Sequence, residues 1–322
     1  MIQLTLRPAT PDDLPFRVAL HNRLHPDEPT TLADVQRQNA NRRADLVLRR
    51  YVAEVGGQAV GLGVYTQQEW MFHPQKFAVN VQVKPEWQGQ GIGKHIWERL
   101  EEELRSLSAI KLFSSVREDA SRSLRFLIER GFVEEQRERE SALNLADANL
   151  SGLDSALARA KAGGYQLLTF AEYAAPDKER QLYTFDESAS QDEPHPPDEV
   201  FTFPSFERYW TPIHANPNLD FSLWFVAVRE GEIVGLSQLN PVSAQPDTLM
   251  TGFTATARAH RRQGLALALK LLALSEAKRR GYLHVKTGND ATNAPMIAIN
   301  DVVGFVPQPA QLWMAWKAEA QS

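Results

Sequence analysis

Two short stretches of this chain combine glycine, amide and basic residues at a spacing that can grip an anion. The first runs Val83-Lys84-Pro85-Glu86-Trp87-Gln88-Gly89-Gln90-Gly91-Ile92-Gly93-Lys94, and the second runs Thr256-Ala257-Arg258-Ala259-His260-Arg261-Arg262-Gln263-Gly264-Leu265-Ala266. Both reduce to Gln/Arg-x-x-Gly-x-Gly/Ala. Where such a turn joins a strand to a helix, successive backbone N–H groups point at one spot and the helix dipole adds to their pull on an anion. Glycine is needed because a Cβ would hold the ligand off the backbone.

The two turns are landmarks of a longer repeat. Gln88 to Gly131 and Arg261 to Gly304 both span 43 positions (131 − 88 and 304 − 261), and each ends on a Gly-Phe pair. Upstream, Val52-Ala53-Glu54-Val55-Gly56-Gly57-Gln58-Ala59-Val60-Gly61-Leu62 aligns with Val226-Ala227-Val228-Arg229-Glu230-Gly231-Glu232-Ile233-Val234-Gly235-Leu236. The offsets are 174 (226 − 52) for this pair and 173 (261 − 88) for the turns. A period of this length means two complete domains in tandem, as the 322-residue length also implies.

Composition narrows the chemistry. A net charge of −5 implies no broad basic surface, so nucleic acid is not the expected partner. The absence of Cys removes disulfides, thiolate metal sites and a cysteine nucleophile, and no metal is expected. Met1 to Pro8 lacks a basic-then-apolar signal pattern, and the most apolar stretch, Leu265 to Leu274, is interrupted by Lys270. A soluble, cytoplasmic protein without a membrane partner is the expectation.

The elements that must position the turns follow from periodicity. Gln3 to Arg7 alternates like a strand, helices extend to about Asn41, and Leu46–Glu54 with Gln58–Gln67 predict a hairpin. Ala78 to Val83 enters the first turn, and Ile92, Ile96, Leu100 and Leu104 place one apolar stripe on the helix that leaves it. Ile110–Val116, Ser121–Arg130 and Phe132–Leu145 predict a strand, a helix and the closing strands. The second helix carries Leu265, Leu269, Leu272 and Ala273 inward. The expected layout is an N-terminal domain over 1–146, a helical linker over 147–164 and a C-terminal domain over 165–322. Asp186 to Pro204, acidic and Pro-rich, reads as a long loop that the first copy lacks.

Other phosphate folds fit less well. A dinucleotide fingerprint needs Gly-x-Gly-x-x-Gly early in a βαβ unit, whereas this turn follows a meander and reads Gly89-x-Gly91-x-Gly93. A triphosphate loop needs Ser or Thr after its lysine, and Lys94 is followed by His95. The pattern of strand, Gln/Arg-x-x-Gly-x-Gly/Ala, helix, strand, helix and Gly-Phe instead resembles the acetyl-CoA-dependent N-acetyltransferases of the GNAT superfamily. The second copy is similar to the C-terminal half of tandem members such as mycothiol synthase, through Thr287-x-Asn289, Asn293-x-x-Met296, Asn300 and Gly304-Phe305.

The resemblance implies two α/β (α+β) sandwich domains, each a mixed sheet flanked by helices, and acetyl-CoA as cosubstrate. It assigns the coenzyme pyrophosphate to Gln88, Gly89, Gln90, Gly91, Ile92, Gly93 and Lys94 in one copy. In the other it assigns Arg261, Arg262, Gln263, Gly264, Leu265 and Ala266, with Asn293 as a further coenzyme contact. The strand before each turn would pair with pantetheine through Val81 and Val83, or Thr254 and Thr256. Many members place a tyrosine acid four residues before the Gly-Phe glycine, where this chain has Leu127 and Asn300. Leucine has no proton to give, and an amide can hydrogen-bond but is no general acid.

Asn300 and His260 are the catalytic candidates, with Glu54 and Glu232 as weaker bases. The function expected is direct acetyl transfer to a small amine-bearing acceptor, catalysed by the C-terminal domain. The alternatives are catalysis by the N-terminal domain and a non-catalytic acyl-CoA-binding or sensing protein. If the acidic loop lines the cleft, Asp186, Glu187, Asp192, Glu193, Asp198 and Glu199 would favour a cationic acceptor.

Overall fold

The computed structural model describes residues 3–196 and 198–318. In chain order the first repeat contains β1 (Leu4–Pro8), α1 (Leu14–Leu24), α2 (Leu32–Asn41), β2 (Leu48–Val55), β3 (Gln58–Thr66), β4 (Lys76–Val83), α3 (Ile92–Ser106), β5 (Lys111–Arg117), α4 (Ser121–Ile128) and β6 (Val133–Asn144). Then come α5 (Leu153–Ala162), β7 (Gln166–Thr169), α6 (Lys178–Ser190), α7 (Phe206–His214), β8 (Trp224–Arg229), β9 (Glu232–Val242) and β10 (Gln245–Thr256). The chain continues through α8 (Leu265–Arg279), β11 (His284–Asp290), α9 (Ala294–Val303), β12 (Val306–Pro307) and β13 (Gln311–Lys317).

These elements form two compact units: one of Met1–Gln136, Pro196–Thr202 and Gln311–Ser322, the other of Arg137–His195 and Phe203–Ala310. The boundaries drawn from the repeat do not follow this division, because each unit takes its last strand from the other half of the sequence. In the first unit the sheet runs β1-β2-β3-β4-β5-β13, antiparallel except for β4 beside β5. In the second it runs β7-β8-β9-β10-β11 and then the Arg137–Asn144 part of β6, with only β10 and β11 parallel. Phe132–Leu145 was expected to supply the closing strands and forms the single long β6 over Val133–Asn144. The linker is helical as expected over Leu153–Ala162, and its Ala156 and Ala160 join the core beneath α8.

Burial follows the sequence stripes. Ile92, Ile96, Leu100 and Leu104 are all buried along α3, and Leu265, Leu269 and Ala273 along α8, while Leu272 is half-buried. The other face of the second sheet carries an aromatic core of Phe170, Tyr173, Trp210 and Trp224 under α6 and α7. Phe206 and Tyr209 pack at its margin.

The expected acidic loop begins later than the composition suggested. Helix α6 extends to Ser190, so Asp186 and Glu187 are helical. The segment 196–202 belongs to the first unit, where Glu199 is buried against Lys76 Nζ (3.0 Å) and Lys111 Nζ (2.8 Å), and Lys111 also meets Glu135 (2.7 Å). Removing one member of such a buried network leaves an uncompensated charge, which typically costs about 3 to 5 kcal/mol. The field expected from six acids on one cleft is therefore corrected: Glu199 is an internal ion-pair partner and Asp198 pairs with Lys317 at 3.1 Å.

Candidate functional site

Each sheet opens into a V where its two parallel strands part. In the first unit β4 pairs with β5 only over Lys76–Ala78 and then continues alone on that side to Val83. In the second, β10 pairs with β11 only over Thr248–Met250 and runs on to Thr256, with a register shift between Thr251 and Thr254 that bends it. The N–H of Lys84 reaches back to Val60 O, and that of Ala257 to Val234 O. Backbone alternation therefore turns Val81 and Val83, and Thr254 and Thr256, toward the open edge. The positions expected to pair with pantetheine lie on that edge in both units.

At the end of each open strand the turn is locked by its first residue. Gln88 Nε2 donates to Val83 O (3.0 Å), and Arg261 Nε donates to the equivalent Thr256 O (3.2 Å). These two side chains hold the turn rather than point out of it. Gly91 and Gly264 follow in the left-handed region at φ 83° and 78°, as the N-caps of α3 and α8, and neither helix start has a side-chain cap. Thr31, Ser205 and Asn293 cap α2, α7 and α9, whereas α1, α4, α5 and α6 also start without a side-chain cap, so the left-handed glycine is what sets the starts of α3 and α8 apart. First-turn N–H groups without a cap, at the positive end of a helix dipole, are what a diphosphate requires.

The turns differ in the residue that follows the lock. Gly89 has φ 80°, and its counterpart Arg262 is held at φ 62°, where a side chain costs about 1 to 3 kcal/mol. Arg262 is exposed and its side chain makes no hydrogen bond or ion pair among the described residues, so this strain places a guanidinium at the turn. A second cation lies beside each turn. A carbon added at Gly89 would meet Arg122 Nη1 of α4 at 3.4 Å, and one at Gly264 would meet Arg159 Nη1 of α5 at 3.9 Å. Lys94 extends into solvent and approaches Glu98 at 3.7 Å, and Gln90 Nε2 bonds Glu86 O at 3.1 Å. Ile92 and Leu265 are buried at the helix starts, while Val81, Val83 and Phe126 lie against Gly93, the position of Ala266.

The catalytic candidates are less favourably placed. Asn300 is buried with both ends of its amide engaged: Oδ1 accepts from Lys270 Nζ, and Nδ2 donates to Asn289 Oδ1 at 2.6 Å. Burial lowers Lys270 to about 8. His260 Nδ1 bonds the Tyr165 hydroxyl at 3.0 Å, in an open depression of about 530 Å3 that also holds Arg229 and Gln263. This depression lies against β8 and β9, whereas the V opens toward β11 on the other side of β10, so the role of base expected for His260 does not fit. Glu54 is paired with Arg7 (2.8 Å) and Glu232 is exposed on the β8–β9 hairpin. Asn293, expected at the coenzyme, caps α9 by accepting from Met296 N at 3.3 Å. Leu127 is an ordinary core residue.

The acids of the second unit separate into two groups. Asp192 grips Arg258 and Arg261 and is held well below the usual carboxylate range by those hydrogen bonds. Asp186 is buried, with Oδ2 accepting from the Tyr209 hydroxyl, and burial pushes it up to about 7. Sequence reasoning missed Arg122, Arg159 and the Lys270–Asn300 contact. Only Lys270 left a signal, as the one charge inside the most apolar stretch.

A family model described as the acetyltransferase (GNAT) family matches residues 15–132 and 164–305. No curated protein matches the chain. Among solved structures, a tandem GNAT protein from the clavulanic acid biosynthesis pathway, solved without AcCoA, superposes with a TM-score of 0.76 at 19% identity, covering 99% of this chain and 100% of that one. A GCN5-related N-acetyltransferase from Sphaerobacter thermophilus gives 0.71 at 19% identity over 98% and 95%. The glucosamine N-acetyltransferase region of a fungal multi-domain GH3 β-N-acetylglucosaminidase gives 0.72 at 14% identity, over 98% of this chain and 38% of that one. At these identities the likeness is one of fold. No helix among the described residues is long and apolar enough to cross a membrane.

Proposed function

We propose, since the chain belongs to the acetyltransferase (GNAT) family, that this protein is an acetyl-CoA-dependent N-acetyltransferase acting on a small amine, with the second unit as the catalyst. The observation that carries the reading is the doubled arrangement of an open strand edge ending in an uncapped, left-handed glycine turn. The donor set suits a coenzyme diphosphate: first-turn N–H groups of α3 or α8, joined by Arg122 in one unit and by Arg159 and Arg262 in the other.

When bound, acetyl-CoA supplies the acetyl group as a thioester. The residues around it bind and orient. The edge N–H and C=O groups of Thr254 and the N–H of Thr256 would pair with the pantetheine amides, while the Thr256 carbonyl stays with Arg261, and a backbone N–H of this edge would stabilise the charge that develops on the thioester oxygen. The acceptor nitrogen, once neutral, bonds to the acetyl carbon as the carbon–sulfur bond breaks, giving up its proton to solvent while the departing thiolate takes one. Asn300 cannot act as the acid, and holding two reactants in register can carry transfer without one.

One observation favours a second reading, binding without transfer: neither Leu127 nor Asn300 can donate a proton as an acid. Release of free coenzyme thiol in the presence of amines separates the two. Gly264→Glu should abolish release and Gly91→Glu should leave it largely intact. Coenzyme binding with no thiol released by any amine would establish the binding protein, and the reverse pattern of the two variants would move catalysis to the first unit.

A further inference from the structure

Lys270 on α8 is 1% exposed, its Nζ lies 5.0 Å from the centre of the Phe305 ring, and it makes no ion pair among the described residues. Burial lowers it to about 8, so it is charged at neutral pH. A buried cation without a counter-charge is costly. Its one hydrogen-bond partner among the described residues is Asn300 of α9, whose Oδ1 accepts from Nζ, and Asn300 Nδ2 donates in turn to Asn289 Oδ1 at 2.6 Å. Chemistry fixes the direction of this chain. An ammonium can only donate, so it meets the oxygen of Asn300; the Asn300 amide nitrogen then meets the oxygen of Asn289, and the nitrogen of Asn289 is left over. Asn289 Nδ2 makes no hydrogen bond among the described residues.

That spare donor belongs to the V. Strands β10 and β11 pair last at Met250 and Lys286, and Asn289 follows three residues on (289 − 286), half-buried on the open part of β11. The glycine turn lies at the far end of the open β10 edge, beyond Thr256. A coenzyme with its diphosphate at the turn and its pantetheine along Thr256 and Thr254 carries its sulfur toward the floor of the V, which is where Asn289 stands. The first copy has nothing comparable. At the repeat offset of 173, the positions of Lys270, Asn289 and Asn300 hold Trp97, Val116 and Leu127, all three buried. Apolar side chains therefore suffice to pack these positions, and the polar chain of the second unit is not required by the fold.

We propose that Asn289 donates a hydrogen bond to the coenzyme sulfur, and that Lys270, acting through Asn300, is the positioning residue that orients and polarises this donor. The inference rests on the transferase reading and deepens it. As the carbon–sulfur bond breaks, its electron pair goes to sulfur, and the negative charge that grows there meets a donor backed by a buried cation. No proton passes along the chain, because an amide is no acid; the thiolate takes its proton from solvent. The three residues together thus stand in for the tyrosine acid that this chain lacks, and only the second unit has them.

The test is a pH titration of the coenzyme A thiol bound to the full chain, followed by the ultraviolet absorbance of the thiolate, in a Gly91→Glu background that confines coenzyme to the second unit. The bound thiol should titrate about one pH unit below its free value, and Asn289→Ala and Lys270→Met should each reverse most of that shift. Asn289 is half-buried, so Asn289→Ala decides the matter if Lys270→Met fails to fold. Affinity for desulfo-coenzyme A, which has no sulfur to recognise, should be equal in parent and variants by calorimetry. Amine-dependent thiol release should fall roughly tenfold or more in kcat with little change in KM for the coenzyme. A bound thiol that titrates at its free value, or variants that change the melting temperature alone, would overturn this role and leave the transferase reading standing. A shifted thiol that both variants restore, with no release by any amine, would support the donor chain and sink the transferase. No coenzyme binding in the Gly91→Glu background would overturn both.

Discussion

At the scale of single residues, side chains here trade stability for chemistry. Arg262 sits where Gly89 sits in the other copy, in a backbone region that disfavours a side chain. Arg262→Gly should raise the unfolding free energy by about 1 kcal/mol in denaturant titrations. It should also weaken coenzyme binding by about tenfold, or roughly 1.4 kcal/mol. Unchanged affinity would mean that the guanidinium plays no part in binding. Lys270 offers a second case. Its ordinary value of 10.5 falls to about 8 because burial penalises the charged form. The folded protein thus carries the full cost below pH 8 and sheds it between pH 8 and 10.5, where the unfolded chain binds the extra proton. Stability should rise across that window by at most about 3 kcal/mol, and Lys270→Met should flatten the rise.

Among elements, the starts of α3 and α8 depend on their neighbours. Helix α5, read from the sequence as a linker, brings Arg159 to the second turn, while α4 brings Arg122 to the first. Arg159→Ala should weaken coenzyme binding at the second turn severalfold and lower its salt dependence, since exposed charge pairs are screened. Beside the same turn, Asp192 occupies Arg258 and Arg261. Asp192→Asn should free those cations and tighten coenzyme binding severalfold by calorimetry. A weaker complex would show instead that Asp192 positions the turn.

For the whole molecule, the exchange of closing strands matters most. The first unit lacks β13 if the chain is cut at 146, and β5 then presents an unpaired edge along Lys111–Arg117. The 1–146 chain should show no cooperative melting transition by circular dichroism, although it contains a full copy of the repeat. The first unit also loses Glu199 in that cut, leaving Lys76 and Lys111 without a buried partner. A stable, cooperative 1–146 fragment would show that neither contribution is needed.

Much of the site was legible in the sequence because it is local. A glycine at the N-cap, an apolar stripe every four residues and a strand leading into a turn act within a dozen positions, so Gly91, Gly264, the α3 stripe and the strand entering the first turn could be placed from spacing alone, whereas the open edges were implied only by the family resemblance. What spacing could not supply was the pairing of residues far apart in the chain. Glu199 reaches Lys111 and Lys270 reaches Asn300 only because the sheets bring them together. The fate of each acid in the Asp186–Glu199 stretch was likewise open in the sequence, since burial and the nearest cation decide whether a carboxylate is solvated, buried or ion-paired. Tertiary structure alone made that choice, and it also moved the final strand, Gln311–Lys317, from the unit whose repeat it ends to the unit whose sheet it completes.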